Sequence, residues 1–433
     1  MIIGLDGVSF LLWRIERIDT LASMRQNTSA MPACAIERPV TRLHCNDRIN
    51  LMASPCCRQL LRLGAFLPVV YVLLALSGTL LAEDQVQESE SGIRRLLYVA
   101  TPGIRNYTEY GGHGLVVFDI DKGHKFVKRI PTAGLDEAGK PLNVKGICVN
   151  SQTHRIYVST IKTLMSLDLI SEKVLWERSY EGGCDRMSIS PDGKIIYLPS
   201  LEQDHWHVVD ASSGDVIAKI VPKSGAHNTV VGLDGKWFYL AGLKSPLLTV
   251  SDSSTRAAHH TVGPFSASIR PFTVNGAQSL CFVNVNDLLG FEVGDLKSKM
   301  MIHRVEVPGY QKGPVKRHGC PSHGIGLTPD EKELWLTDAT NRTMHVFDAT
   351  VMPPKVKQHI PVRDEPGWIT FSLDGRFAYP STGDVIDTAT KKILVGLTDE
   401  TGAAVQSEKM LEIDFEGTQP VRNGDQFGVG RVR

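Results

Sequence analysis

Apolar residues in this chain fall into short runs of four to six, alternating with polar ones and broken by turn-forming residues. That spacing predicts β-strands, because successive side chains of a strand point to opposite faces. The runs also recur as a unit. Gly146-Ile147-Cys148-Val149-Asn150 leads into Arg155-Ile156-Tyr157-Val158-Ser159, and Arg186-Met187-Ser188-Ile189-Ser190-Pro191-Asp192-Gly193 into Ile195-Ile196-Tyr197-Leu198. Asn228 to Gly235 leads into Trp237-Phe238-Tyr239-Leu240, Pro271-Phe272-Thr273-Val274 into Leu280-Cys281-Phe282-Val283, Gly324 to Asp330 into Glu333-Leu334-Trp335-Leu336, and Trp368 to Gly375 into Phe377-Ala378-Tyr379. Third strands end alike, in Val208-Val209-Asp210, Val346-Phe347-Asp348 and Val385-Ile386-Asp387. Asp-Gly between first and second strands suits a tight hairpin in which both central residues take positive φ.

A period of roughly 40–45 residues with four short strands per unit is that of a β-propeller blade. The first unit lacks its first strand and opens on Leu96-Leu97-Tyr98-Val99-Ala100, while a spare strand, Met410-Leu411-Glu412-Ile413-Asp414-Phe415, stands at the other end. The expectation is an all-β, seven-bladed propeller over residues 94–415, closed by the C-terminal strand pairing into blade one, with a tail over 416–433. Closure removes exposed sheet edges.

The hairpins resemble the YVTN-type (WD40/YVTN-like) repeats of bacterial periplasmic and surface propellers. Ser190-Pro191-Asp192-Gly193-Lys194-Ile195-Ile196-Tyr197-Leu198 followed by Val208-Val209-Asp210 and Gly214-Asp215-Val216-Ile217-Ala218-Lys219-Ile220 carries the likeness. The second blade departs from it, with Gln152-Thr153-His154 at the turn, and the Trp-Asp dipeptide of WD40 repeats is absent. The resemblance implies a fold and leaves function open, since such scaffolds serve binding proteins, lactone hydrolases and redox proteins.

Ahead of the repeats, a basic stretch, Cys56-Cys57-Arg58-Gln59-Leu60-Leu61-Arg62, precedes an uncharged apolar run from Leu63 to Ala82, then Glu83-Asp84. This layout predicts a signal peptide over 52–82, or an uncleaved membrane anchor, with a linker over 83–93. Residues 1–51 carry little periodicity and are expected to be disordered, an over-extended start upstream of Met52. The expected location is outside the cytoplasm, periplasmic or secreted, or anchored to a membrane. Lys+Arg and Asp+Glu are equal at 47 each, so no global field points to nucleic acid. A monomer is expected. Cys148, Cys184, Cys281 and Cys320 show no CxxC spacing, and blade separation argues against a Cys184–Cys320 bridge.

Propeller first strands line the channel, so the residue just before each one belongs at its mouth. Aligned on their turns, the repeats place Lys145, Asp185, His227, Arg270, His323 and Gly367 there, and closure adds Glu408 or Lys409. Arg186, Asn228, Glu365 and Trp368 are their neighbours. Lys145, Arg186 and Arg270 suit a small anionic ligand, because guanidinium forks match carboxylate and phosphate. The basic loop from Lys312 to His323 adds charge, and Arg105, Tyr107, Tyr110, His113, His205 and Trp206 are candidate walls. Two functions follow. One is binding of a small anion or a partner protein at the mouth. The other resembles propeller lactonases, with His227 or His323 as base, Asp185 or Glu365 as its partner and Arg270 as clamp. A quinoprotein-like redox role has no CxxCH or other visible cofactor attachment to support it, and no cofactor is assigned. No metal site is expected. His227 and His323, its nearest candidates, lie in non-adjacent blades, and polar residues at a wet channel mouth also serve simply to satisfy backbone groups.

Overall fold

The computed structural model describes residues 92–432, so the segments expected over 1–51 and 52–82, and nearly all of the linker, lie outside the described residues. Seven antiparallel sheets follow one another along the chain, six of four strands and one of five. Each first strand touches the first strand of the next blade all the way round, Met410–Glu416 to Val144–Asn150 at one seam and Ile369–Phe371 to Met410–Glu416 at the other. The repeats therefore close into a circle around one axis. Among the described residues, no helix is long and apolar enough to cross a membrane.

Closure happens as the sequence predicts. Strand Met410–Glu416 lies antiparallel against Ile93–Thr101, with Val99 opposite Met410 and Ile93 opposite Glu416. Arg95 donates from Nε to Glu412 Oε1 at 2.8 Å, tying the chain's two ends side chain to side chain as well.

The core sits between blades. Tyr197, Trp206 and Val208 of blade three pack with Phe238 and Leu240 of blade four, and Tyr98 and Val117 of blade one with Ile147 and Val158 of blade two. First, second and third strands bury both faces, while fourth strands such as Val174–Ser179 are largely exposed. Full burial of one such apolar side chain contributes about 1.5–3 kcal/mol, so seven interleaved interfaces supply ample driving force without cross-links. The four described cysteines are accordingly free and buried.

The Asp-Gly hairpins differ in detail from the expected two-residue turn. Only the glycine takes positive φ, +71° at Gly193, +70° at Gly235 and +73° at Gly375. The aspartate instead accepts hydrogen bonds: Asp192 Oδ1 takes Ser190 Oγ–H at 2.6 Å and Lys194 N–H at 3.1 Å. Side-chain capping of the turn makes a second left-handed residue unnecessary. Where the glycine is missing, His154 of blade two and Glu331 of blade six hold the left-handed position at φ +54° and +58°. The aspartates ending third strands work similarly: Asp210 Oδ1 accepts from Ser212 N at 2.9 Å and Ser213 N at 3.1 Å.

The segment expected as a free tail, 416–433, is integral to the fold. Gln419–Asn423 pairs with Met410–Glu416 as a fifth strand, and the chain then crosses the channel at the turn face. Gln426 Oε1 accepts from Ile147 N and its Nε2 donates to Met187 O, both at 3.2 Å, joining blades two and three. Its carbonyl accepts from the Trp368 indole of blade seven. Gly428 O accepts from Thr273 Oγ1 and Leu327 N, both at 2.8 Å, reaching blades five and six. Phe427 and Val429 are buried with Val230, Phe272 and Val274. Phe427 and Val429, set between polar residues and glycines, gave little periodicity to read, yet they pack across the end of the channel and leave beside them a pocket of about 260 Å³ lined by Ile147, Met187 and Gln426.

Gly428 has φ +57°, and a Cβ there would lie 2.9 Å from the Cα of Gly326. Gly428→Ala is expected to cost about 1–3 kcal/mol of unfolding free energy. Gly424→Ala, whose Cβ would meet nothing closer than 3.5 Å, is expected to be nearly neutral. Urea unfolding of the two variants checks the contrast.

Candidate functional site

The aligned position of each repeat is carried to the same end of the axis, opposite the Asp-Gly turns; Asp185, His323 and Gly367 precede their first strands, whereas Lys145, His227 and Arg270 are the second residues of theirs, Val144–Asn150, Ala226–Val231 and Ile269–Val274. There the structure forms a pocket of about 160 Å³, lined by Lys145, Arg186, His227, Arg270, His323 and Lys409 together with Arg105, Arg317, His318, Glu202 and Glu408. Asp185 is fully buried behind them. Six sequence-predicted residues thus converge from blades two to six, and the predicted contribution of the closing strand arrives as Glu408 and Lys409.

Two local features bring them together. Blades three and four touch directly at the mouth, where Arg186 N donates to His227 O at 3.3 Å and Thr229 N to Arg186 O at 3.1 Å. This bridge sets Asp185 beside His227. The other feature is glycine. Gly367 occupies the blade-seven position without a side chain, and the His318 ring fills its space: a Cβ on Gly367 would lie 2.0 Å from His318 Cε1. Gly319 likewise leaves room for Arg270, whose Nη1 would be 2.8 Å from a Cβ there.

Arg186 is the hub. It is 2% exposed, pairs with Glu408 Oε2, approaches Asp185 Oδ1 at 3.8 Å, and lies over the Trp368 ring at 4.3 Å from its centroid. Lys409 Nζ shares Glu408 Oε2 at 2.8 Å and also donates to Gly103 O at 2.8 Å. Burial works to raise the Glu408 carboxyl, but Lys409 and Arg186 outweigh it and hold it well below the usual carboxylate range. Burial brings the Lys409 ammonium down to about 7 despite Glu408.

Asp185 and His227 form a buried pair. His227 Nδ1–H donates to Asp185 Oδ2 at 2.7 Å, and Lys145 Nζ is 3.4 Å from Asp185 Oδ1. Burial alone would raise Asp185; His227, Lys145 and Arg186 overcome it and keep the carboxylate ionised. For His227, burial prevails over the pull of Asp185 and lowers it, so the imidazole is neutral with its proton on Nδ1. Its Nε2 then faces Arg186 Nη1 at 3.5 Å as an acceptor.

His323 donates from Nδ1 to Gly367 O at 3.0 Å, and its ring lies 5.2 Å from that of His318 and 6.4 Å from that of His227. Burial drives its pKa well below the usual imidazole value. His318 Nδ1 is 3.0 Å from Glu408 Oε1. Among the described residues, the group with ligand atoms close enough for a metal ion is His318, His323 and Glu408; His227 is not part of it.

The remaining predicted residues divide. Trp368 forms the floor beneath Arg186. Asn228 is 1% exposed, and neither side-chain polar atom has a hydrogen-bond partner. Arg270 donates to Asn286 Oδ1 at 2.5 Å and Gly319 O at 3.1 Å. Glu365 does not line the pocket; it is buried near Arg317, and its Oε2 has no hydrogen-bond partner. Of the candidate walls, Arg105 lines the pocket and Tyr110 receives Arg317 Nη2 at 2.8 Å. Trp206 is instead core, its indole N–H on Thr229 Oγ1 at 2.9 Å, and His205 pairs with His207 at 3.2 Å. Residues 205–207 belong to a third strand and its approach, and inward-facing positions there pack between blades. His318 is the residue that the repeat frame missed. It stands outside the aligned positions, and only its place in a basic loop hinted at it.

Asp185→Asn is expected to cost about 3–5 kcal/mol at pH 7, because it leaves the charged Lys145 without its partner and disturbs a buried hydrogen-bonded pair. The Asp185 pKa is depressed in the folded state, so its stabilisation is complete above the unfolded value of about 4 and fades as pH falls below it. The wild-type minus variant difference in urea unfolding, measured at pH 7 and at pH 3, checks both size and sign.

No protein-family model matches the chain, and no curated protein matches it. Solved structures do. A chain of a mitotic checkpoint complex aligns over 66% of this chain and 80% of its own length at 13% identity, with a TM-score of 0.53. A chain of the Kuenenia stuttgartiensis hydrazine synthase aligns over 57% of this chain and 96% of its own at 14% identity, with a TM-score of 0.40. The likeness to the checkpoint-complex chain concerns architecture alone, and the strand order itself establishes that the described chain is a seven-bladed β-propeller.

Proposed function

We propose that the mouth pocket binds a small anion carrying a carboxylate or phosphate group. The observation that carries this reading is the balance of charge at the mouth: Arg105, Lys145, Arg186, Arg270, Arg317 and Lys409 against Glu202 and Glu408 in the lining, with Asp185 paired to Lys145 and Asp364 to Arg317 behind it. Walls of low dielectric strengthen the field of such an excess. Arg186 is held by Glu408 and Trp368, and Arg270 by Asn286 and Gly319, so the guanidinium planes are fixed before a ligand arrives, which lowers the entropy cost of binding. A pocket of about 160 Å³ fits a small organic acid or a phosphate rather than a protein loop. The leader-like order of residues 52–82 supports a place outside the cytoplasm, and the Ser-Pro-Asp-Gly hairpin supports kinship with YVTN-type propellers.

A second reading, ester or lactone hydrolysis, is favoured by one observation, the Asp185–His227 pair. A neutral imidazole oriented by a carboxylate through Nδ1 offers Nε2 as a general base once a water takes the place of its long contact with Arg186 Nη1. Arg186 and Arg270 would then steady the developing oxyanion.

Calorimetric titration of the purified protein with inorganic phosphate, citrate and succinate tests the first reading. At least one is expected to bind, and Arg270→Ala is expected to weaken it about ten- to hundredfold, the worth of one charge-assisted hydrogen bond. Absence of binding by all three anions, or equal affinity in the variant, would overturn it. Turnover of small lactones that vanishes in His227→Ala would establish the second.

A further inference from the structure

We infer that His318, His323 and Glu408 form a binding site for a divalent transition metal of the zinc type at the floor of the mouth. Their ligand atoms all lie within 4.8 Å of one another, and each side chain is buried. Two imidazoles and one carboxylate, with a remaining position open, is a donor set that suits zinc and its neighbours in catalytic rather than structural sites.

Three independent features point to a cation. The first is an orphan: His318 Nε2 is buried with no hydrogen-bond partner. With no partner on Nε2 to fix the tautomer, the ring proton can sit there and leave Nδ1, the nitrogen beside Glu408, free for a metal. The second is orientation. His323 gives its Nδ1–H to Gly367 O at 3.0 Å, the arrangement in which a backbone carbonyl fixes the tautomer of a metal-binding histidine. Glu408 is fixed too: Arg186 and Lys409 take Oε2, and Oε1 lies 3.0 Å from His318 Nδ1, a contact that a metal held by both would replace. The third is space. The His318 ring stands where any side chain at position 367 would be, so the glycine at the blade-seven position admits a histidine from the preceding loop. His227 stays outside the set because its ligand atoms are not grouped with the other three and its Nε2 faces Arg186 Nη1 at 3.5 Å.

Arg186 and Lys409 oppose a bare dication at this distance. The metal is therefore expected to bind more tightly when an anion fills its open position, which places the two ligands of the mouth in positive linkage. That linkage rests on the anion-binding reading; the metal site itself does not.

The experiment is metal loading of the purified protein. After equilibration with Zn²⁺ and desalting in buffer free of phosphate and carboxylates, elemental analysis is expected to show one zinc per chain. Co²⁺ substitution is expected to give a visible d–d band of a low-coordinate nitrogen–oxygen site. His318→Ala and Gly367→Ala are expected to weaken Zn²⁺ binding at least tenfold, while His227→Ala and Arg270→Ala retain it. Circular dichroism melts show which variants are folded, and His318→Gln replaces any that is not. Absence of stoichiometric zinc and of a cobalt band in the wild-type protein overturns the site, as does undiminished uptake by the folded His318 variants. Retained zinc in Arg270→Ala alongside lost anion binding separates the two sites, so either reading can fail alone.

Discussion

Everything at the mouth depends on one strand pairing. Met410–Glu416 lies against Ile93–Thr101 and thereby joins the ends of the chain. Without it the seven units would form an open array with two bare edges, and the aligned positions of the repeats would trace an arc. With it they face one another across an axis. The same strand delivers Glu408 and Lys409, the counter-ion of Arg186 and a second cation, into the centre. Stability and site share a single topological device.

The site is built on unequal repeats. Blades two, three and four contribute Lys145, Asp185 and His227 from equivalent positions, and a strict repeat would have made these identical. Charge neutralisation explains how such groups coexist in burial. Asp185 answers Lys145, Arg186 and the His227 N–H; Glu408 answers Arg186, Lys409 and His318. Each carboxylate is the centre of a small fan of donors, which is the condition under which buried charge is tolerated.

The architecture was legible in the sequence because strands alternate with period two and turns announce themselves with Asp-Gly. So was the ring of mouth positions, since alignment on the turns converts sequence offsets into radial positions. What escaped did so for physical reasons. His318 belongs to a loop, whose path depends on the empty space at Gly367 rather than on any local pattern. Glu365 stood two residues from an aligned position, but its loop buries it beside Arg317 and outside the pocket lining. The tail was opaque because its affinity for the channel resides in backbone carbonyls meeting Thr273, Leu327 and Trp368, and no side-chain pattern records a carbonyl.

The channel-crossing tail also has a kinetic meaning. A propeller bore is open at both ends unless something stops it, and here Gln426 and Phe427 are wedged across one end. The segment narrows the propeller's bore on that side. At the other end Arg105 and Arg317 stand in the lining of the mouth pocket, so the guanidinium groups that attract a visitor also govern how long it stays.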